Sequence, residues 1–267
     1  MRWIKDINKE KMMEKKYFVL DADTHMSPYK NFDGSIGAEQ WEKIMEAAGI
    51  DKALVWLLPQ GVEDVSESNA YIYEASRVNS RMVPFGWANI GEGVEKAKED
   101  ARKCLEEYGF CGVKLNGAQN EYYIDSPEAM EVIDVIARLG GMLAFHIGAD
   151  YPEFTDPRRA AAAASRYPEM PILMVHMGGA GEPDVSDRVI ETAKDYSNMY
   201  LIGSAIGVDK VKRAIDLLGA DRVLFGSDTP FYNVEKVKAA YLEMLSAYGE
   251  ETTEKVMGLN AKRLFGL

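Results

Sequence analysis

From Tyr17 onward, short apolar runs of strand length alternate with helical patterns along the whole chain. The runs fall at 17–21, 52–57, 82–87, 111–115, 142–146, 171–176, 199–203 and 222–227. Most are continuously apolar rather than alternating, as strands buried on both faces require. The helical patterns between them carry their own punctuation. Glu39 to Ala48 ends at Gly49, Val94 to Tyr108 at Gly109, and Val208 to Leu218 at Gly219. Ser126 can cap a helix that begins with Pro127 and closes at Gly140-Gly141, the usual placement of proline inside a start and glycine past an end. Two helical stretches follow in 233–265. Eight strands alternating with helices in 267 residues predict an α/β fold, a (β/α)8 TIM barrel, as one domain over 17–267. An open doubly wound sheet would need a glycine-rich phosphate loop after an early strand. The first strand leads instead into Asp21-Ala22-Asp23-Thr24-His25-Met26-Ser27-Pro28. Residues 1–16 are charged throughout and read as a lead-in helix, without the apolar stretch of a secretory signal.

The net charge of −12 argues against nucleic acid or an anionic membrane as the main partner. It leaves a small-molecule substrate open, anionic ones included, because a pocket can oppose the global sign. No apolar run approaches the ~18 residues of a membrane span. Cys104 and Cys111 offer no disulfide framework and read as reduced thiols of a cytoplasmic protein.

All three histidines stand at the ends of predicted strands: His25 after the first, His146 at the end of the fifth and His176 at the end of the sixth. The eighth strand ends the same way in Asp228. In a barrel, the C-terminal ends of the strands share one face whatever their separation in sequence. Asp23 and His25 are two apart and so point to one side of a strand. One histidine at a strand end is ordinarily a hydrogen-bonded rim residue, and an Asp before Thr-Pro is ordinarily a turn. Their joint placement points to a bound divalent metal ion. The mixed imidazole and carboxylate set favours Zn²⁺, with Mn²⁺ or Fe²⁺ also compatible.

In this order and spacing the motifs resemble the amidohydrolase superfamily, in the amidohydrolase-related branch that includes aminocarboxymuconate semialdehyde decarboxylase and resorcylate-type decarboxylases. The resemblance rests on Asp21 to Pro28, Gly112-Val113-Lys114-Leu115, His146-Ile147-Gly148, Val175-His176-Met177-Gly178-Gly179, Leu224 to Pro230 and Asn260 to Phe265. It implies one metal held by Asp23, His25, His146 and Asp228, with His176 acting on water or substrate. Two positions depart from the pattern. Asp23 stands where the family usually has His, and an added negative ligand makes bound water less acidic. Asn116 stands where many short relatives carry His.

The resemblance also implies roles for individual residues. Asp228 would move the proton, and His176 would polarise the substrate. Lys114, which bridges two metals when carboxylated in binuclear relatives, reads here as an unmodified anchor for a substrate anion or as charge balance. Asn116 and Ser204 are further substrate-contact candidates. Arg158 and Arg159 could bind an anion, but such a pair more often opens a solvated helix. Trp56 could wall a pocket or simply fill the core. The expected reaction is hydrolysis of a small carboxylated or cyclic compound by metal-activated water. The alternative is non-oxidative decarboxylation of an aromatic or vinylogous acid on the same site. A silent metal-binding barrel is a third reading, and a homodimer is expected from the resemblance alone.

Overall fold

The computed structural model describes residues 17–30, 34–58 and 65–267; the expected lead-in helix over 1–16 lies outside them. The strands are β1 (Leu20–Met26), β2 (Lys52–Leu57), β3 (Met82–Pro84), β4 (Gly86–Trp87), β5 (Gly112–Leu115), β6 (Met142–His146), β7 (Ile172–Val175), β8 (Met199–Ile202) and β9 (Val223–Leu224). Helices alternate with them: α1 (Ala38–Ala47), α2 (Val65–Val78), α3 (Val94–Arg102), α4 (Pro127–Arg138), α5 (Pro157–Arg166), α6 (Ser186–Asp195), α7 (Val208–Leu218) and α8 (Val234–Leu245). The strand order is β1-β2-β3 and β4-β5-β6-β7-β8-β9, and every pairing is parallel. β3 and β4 are two halves of one stave. Between them the Phe85 amide still donates to Val55 O at 2.9 Å. The ring closes where Ala22 N donates to Phe225 O and His25 N to Thr229 O, beside a parallel bridge between Thr24 and Thr229. The fold is therefore a closed (β/α)8 barrel, as the alternation of runs predicts.

The helices form where their apolar residues recur at three- and four-residue spacing. α7 buries Val211, Ala214 and Ile215, and α4 buries Ala129, Val132, Ile133 and Ile136, each a single stripe facing the strands. Ser126 caps α4 through its side chain, with Pro127 in the first turn. Gly112 is required by close approach, since a Cβ there would stand 2.2 Å from Met142 O.

Two boundaries differ from the sequence reading. The first strand runs on to Met26 instead of stopping at residue 21. Its second half is polar yet fully enclosed, because Asp21, Asp23, Thr24 and His25 are all buried. The stretch expected as one helix from Val94 to Tyr108 is α-helical to Arg102 and then opens into a wider turn over Lys103–Glu107.

Candidate metal centre and substrate pocket

Strand alternation sorts the side chains of β1. Thr24 faces the helix layer, where it donates to Leu54 O and accepts from the Trp41 indole of α1. Asp23 and His25 take the opposite face. There Asp23 Oδ1 and Asp228 Oδ1 each lie 3.4 Å from His25 Nε2. Asp23 Oδ2 lies 3.5 Å from His176 Nδ1. Donor atoms of Asp23, His176 and Asp228, all buried, fall within 4.8 Å of one another. Backbone bonds hold this arrangement in place. Asp228 N donates to Asp23 O at 2.9 Å. Beneath them, buried Asp21 collects the amides of Asp23 and Ser227 on its Oδ1.

Hydrogen bonds also fix which nitrogens are free. His25 Nδ1 lies 2.7 Å from Leu57 O; a carbonyl only accepts, so the proton is on Nδ1 and the neutral ring turns its Nε2 lone pair to the carboxylates. Ser204 Oγ donates to Asp23 Oδ2 at 2.5 Å and lies 3.0 Å from His176 Nδ1. The serine proton is committed, so His176 donates from Nδ1 and keeps the Nε2 lone pair free. Trp56 Nε1 donates to both Asp23 Oδ1 (3.0 Å) and His25 Nε2 (3.1 Å).

Protonation follows from burial and neighbours. Burial pushes His176 well below the usual imidazole range, so it is neutral. Burial alone would raise the Asp23 carboxyl, but the His25 contact and the Lys114 charge hold it well below the usual range. Asp228 is raised, by burial first and then by the Asp23 charge. Burial would lower His25, yet contacts with Asp228 and Asp23 raise it. That pull toward protonation conflicts with the Trp56 N–H, which needs the Nε2 lone pair. A cation among these donors would replace the proton on Nε2, and the Trp56 N–H would then rest on Asp23 Oδ1 alone. Donors about 2.1 Å from a shared ion stand about 3.0–3.4 Å apart, which the two 3.4 Å contacts meet. The donor set fits a divalent metal ion.

The cluster opens into a cavity of about 640 Å³ lined also by Trp87, Lys114, Asn116, His146 and Asp150. Six of the seven described non-glycine residues with positive φ line it: Glu121, Tyr151, His176, Ala180, Ala205 and Asp228. Such conformations persist only where the surroundings impose them, and they gather at built sites.

Of the expected site residues, His25, Lys114, Asn116, His146, His176 and Asp228 line this one mouth. His176 joins the two carboxylates. His146, expected as a ligand, turns Nε2 to Asp150 at 2.8 Å, with its ring edge-on to His176. Ser204, expected at the substrate, does not line the cavity; its hydroxyl is consumed between Asp23 and His176. Asn116 does line it and caps the following helical turn through Oδ1. Arg158 and Arg159 are taken up by Asp156 and Asp125 and stand outside the cavity. The sequence reading missed Asp150 and left Trp56 between wall and core. The first was findable as a carboxylate four residues after a strand-end histidine. The second follows from register, since Trp56 pairs with His25.

A parallel barrel with such a donor cluster at the C-terminal ends of its strands defines a class, the metal-centred barrel enzymes. The amidohydrolase family profile matches residues 62–267, and the chain belongs to that family. It is 22% identical to the 2-amino-3-carboxymuconate-6-semialdehyde decarboxylase of Dictyostelium discoideum, over 79% of this chain and 69% of that one. It is 23% identical to the gamma-resorcylate decarboxylase of Rhizobium sp. strain MTP-10005, over 84% and 86%. Among solved structures, 5-carboxyvanillate decarboxylase of Novosphingobium aromaticivorans, complexed with manganese and 4-hydroxy-3-methoxy-5-nitrobenzoic acid, has the same fold. Its TM-score is 0.75 at 16% identity, over 95% of this chain and 97% of that one. No described helix is long and apolar enough to cross a membrane.

Proposed function

We propose that this protein is a metal-dependent non-oxidative decarboxylase of a small aromatic or vinylogous acid. The observation that carries the metal is the buried grouping of Asp23, His176 and Asp228 at the base of the cavity. Decarboxylation is preferred to hydrolysis, the first expectation from sequence, because the curated relatives are decarboxylases. Asp23, His176 and Asp228, with His25 Nε2, would hold one divalent ion. Two carboxylates favour a hard ion, and manganese is bound in the related structure, so Mn²⁺ is preferred to Zn²⁺. When bound, the ion supplies positive charge that orients an acid and a neighbouring oxygen and stabilises charge developing between them.

The chain's own residues do the rest. Asp228, whose carboxyl burial raises, would deliver a proton to the ring carbon bearing the departing group. The C–C bond to that group breaks, its electron pair stays on the carbon, and carbon dioxide leaves. Neutral His176, fixed by Ser204, keeps the geometry of Asp23. Trp87 and Phe231 add aromatic lining to the cavity. The lead-in segment and a cytoplasmic location are part of this proposal on the sequence, and a homodimer on the family resemblance.

The test is elemental analysis of the purified protein, followed by carbon dioxide release from ortho-hydroxybenzoates beside a panel of lactones and cyclic amides. About one ion per chain and chelator-sensitive carbon dioxide release are expected. No ion after incubation with Mn²⁺ and Zn²⁺ would refute the centre. Turnover confined to the lactones and amides would make the protein a hydrolase.

A further inference from the structure

Four consecutive staves of the barrel carry His25, Trp56, Trp87 and Lys114. Register joins the outer pairs, His25 to Trp56 and Trp87 to Lys114. The Lys114 ammonium therefore lies beyond two indoles from the ligand cluster. Its Nζ is 3.9 Å from the Trp56 ring centroid and 5.0 Å from that of Trp87. The side chain is only 1% exposed and is the sole lysine or arginine lining the cavity among the described residues. No described residue accepts a hydrogen bond from it. A buried ammonium without an acceptor is costly, and ring faces compensate only in part.

Nearby charge does not supply the missing acceptor. Asp23 and Asp228 are among the donors assigned to the ion, and Asp150 is engaged by His146. Lys114 is then left with a charge, an unfilled donor set and an opening into the cavity. One indole also separates the two loci, because Trp56 turns its N–H edge to Asp23 and His25 and its face to Lys114.

We propose that Lys114, seated on Trp56 and Trp87, is an anion subsite distinct from the metal centre, so that the substrate carries a second acidic group besides the carboxylate that leaves. This rests on the decarboxylase reading for the departing group; the subsite itself is a binding claim and can be tested without turnover.

The test compares benzoate with isophthalate, which adds a second carboxylate to the same ring, on the Mn²⁺-loaded protein by calorimetry and tryptophan emission. Isophthalate is expected to bind at least about tenfold more tightly, the worth of one charge-assisted hydrogen bond, and to change the emission. Lys114→Met should bring the two within about twofold while Mn²⁺ stoichiometry is unchanged; Lys114→Arg should keep part of the preference. Equal binding in the unsubstituted protein overturns the proposal even if Lys114→Met fails to fold. So does a preference that survives in Lys114→Met, or a carbamate on Lys114 in the native mass. A Lys114-dependent preference without carbon dioxide release from any acid would keep the subsite and remove the decarboxylase reading. Carbon dioxide release from simple monoacids, undiminished in Lys114→Met, would do the reverse.

Discussion

The two walls of the cavity are built on opposite principles. On the wall formed by β1, β9 and the ends of β7 and β8, each donor is held by a hydrogen bond of its own. Leu57 O orients His25, Ser204 orients His176, Trp56 and Ser204 orient Asp23, and Asp23 O anchors the Asp228 backbone. On the wall formed by β2, β4 and β5, Lys114 is held by ring faces alone. Directed bonds define a point in space, as an ion requires. Ring faces define a direction of approach and leave every N–H of the ammonium for a ligand. The difference separates a wall built for a small resident charge from one built for a group that arrives and leaves.

The largest effects should come from breaking the first wall. His176→Ala and Asp23→Ala should weaken metal binding more than about 100-fold, against about 10-fold or less for His146→Ala, read by competition with a chelating dye. The reverse order would restore His146 as the ligand the sequence suggests. Next come the orienting groups. Ser204→Ala and Trp56→Phe should each cost about 10- to 100-fold in metal affinity with the fold intact by circular dichroism.

The second wall should respond to pH. Burial lowers Lys114 to about 8, so the anchor is charged below that value and loses its proton above it. Isophthalate binding should weaken about tenfold from pH 7 to pH 9, while benzoate binding changes little; a flat profile would mean that Lys114 is not the anchor. Trp87→Leu should lower isophthalate affinity only about three- to tenfold and leave the metal untouched. Smallest of all, Arg158→Ala at the exposed start of α5 should change neither measurement by more than about twofold.

The barrel was legible because burial on both faces leaves continuous apolar runs, which need no partner to be seen. The convergence of the strand-end residues followed from topology alone. Legibility stopped where a side chain's job depends on its neighbours. His146 and His176 follow similar strands, and nothing in either run says that Asp150 will claim one of them. Ser204 sits in a Gly-Ser turn that usually means only a turn. The strand bound at residue 21 fell short of the polar half of β1, because the partners that satisfy its buried groups lie on β2 and after β9, far away in sequence.

Trp56 touches both walls at once, and this constrains how such a site can change over evolution. Trp87 can be exchanged to admit a differently shaped acid without disturbing the ion. Trp56 cannot, because any replacement that alters the cradle under Lys114 also alters the N–H that Asp23 and His25 share. Selectivity and metal retention are therefore a single heritable trait at this position, and variants that broaden the substrate range should arise first on β4.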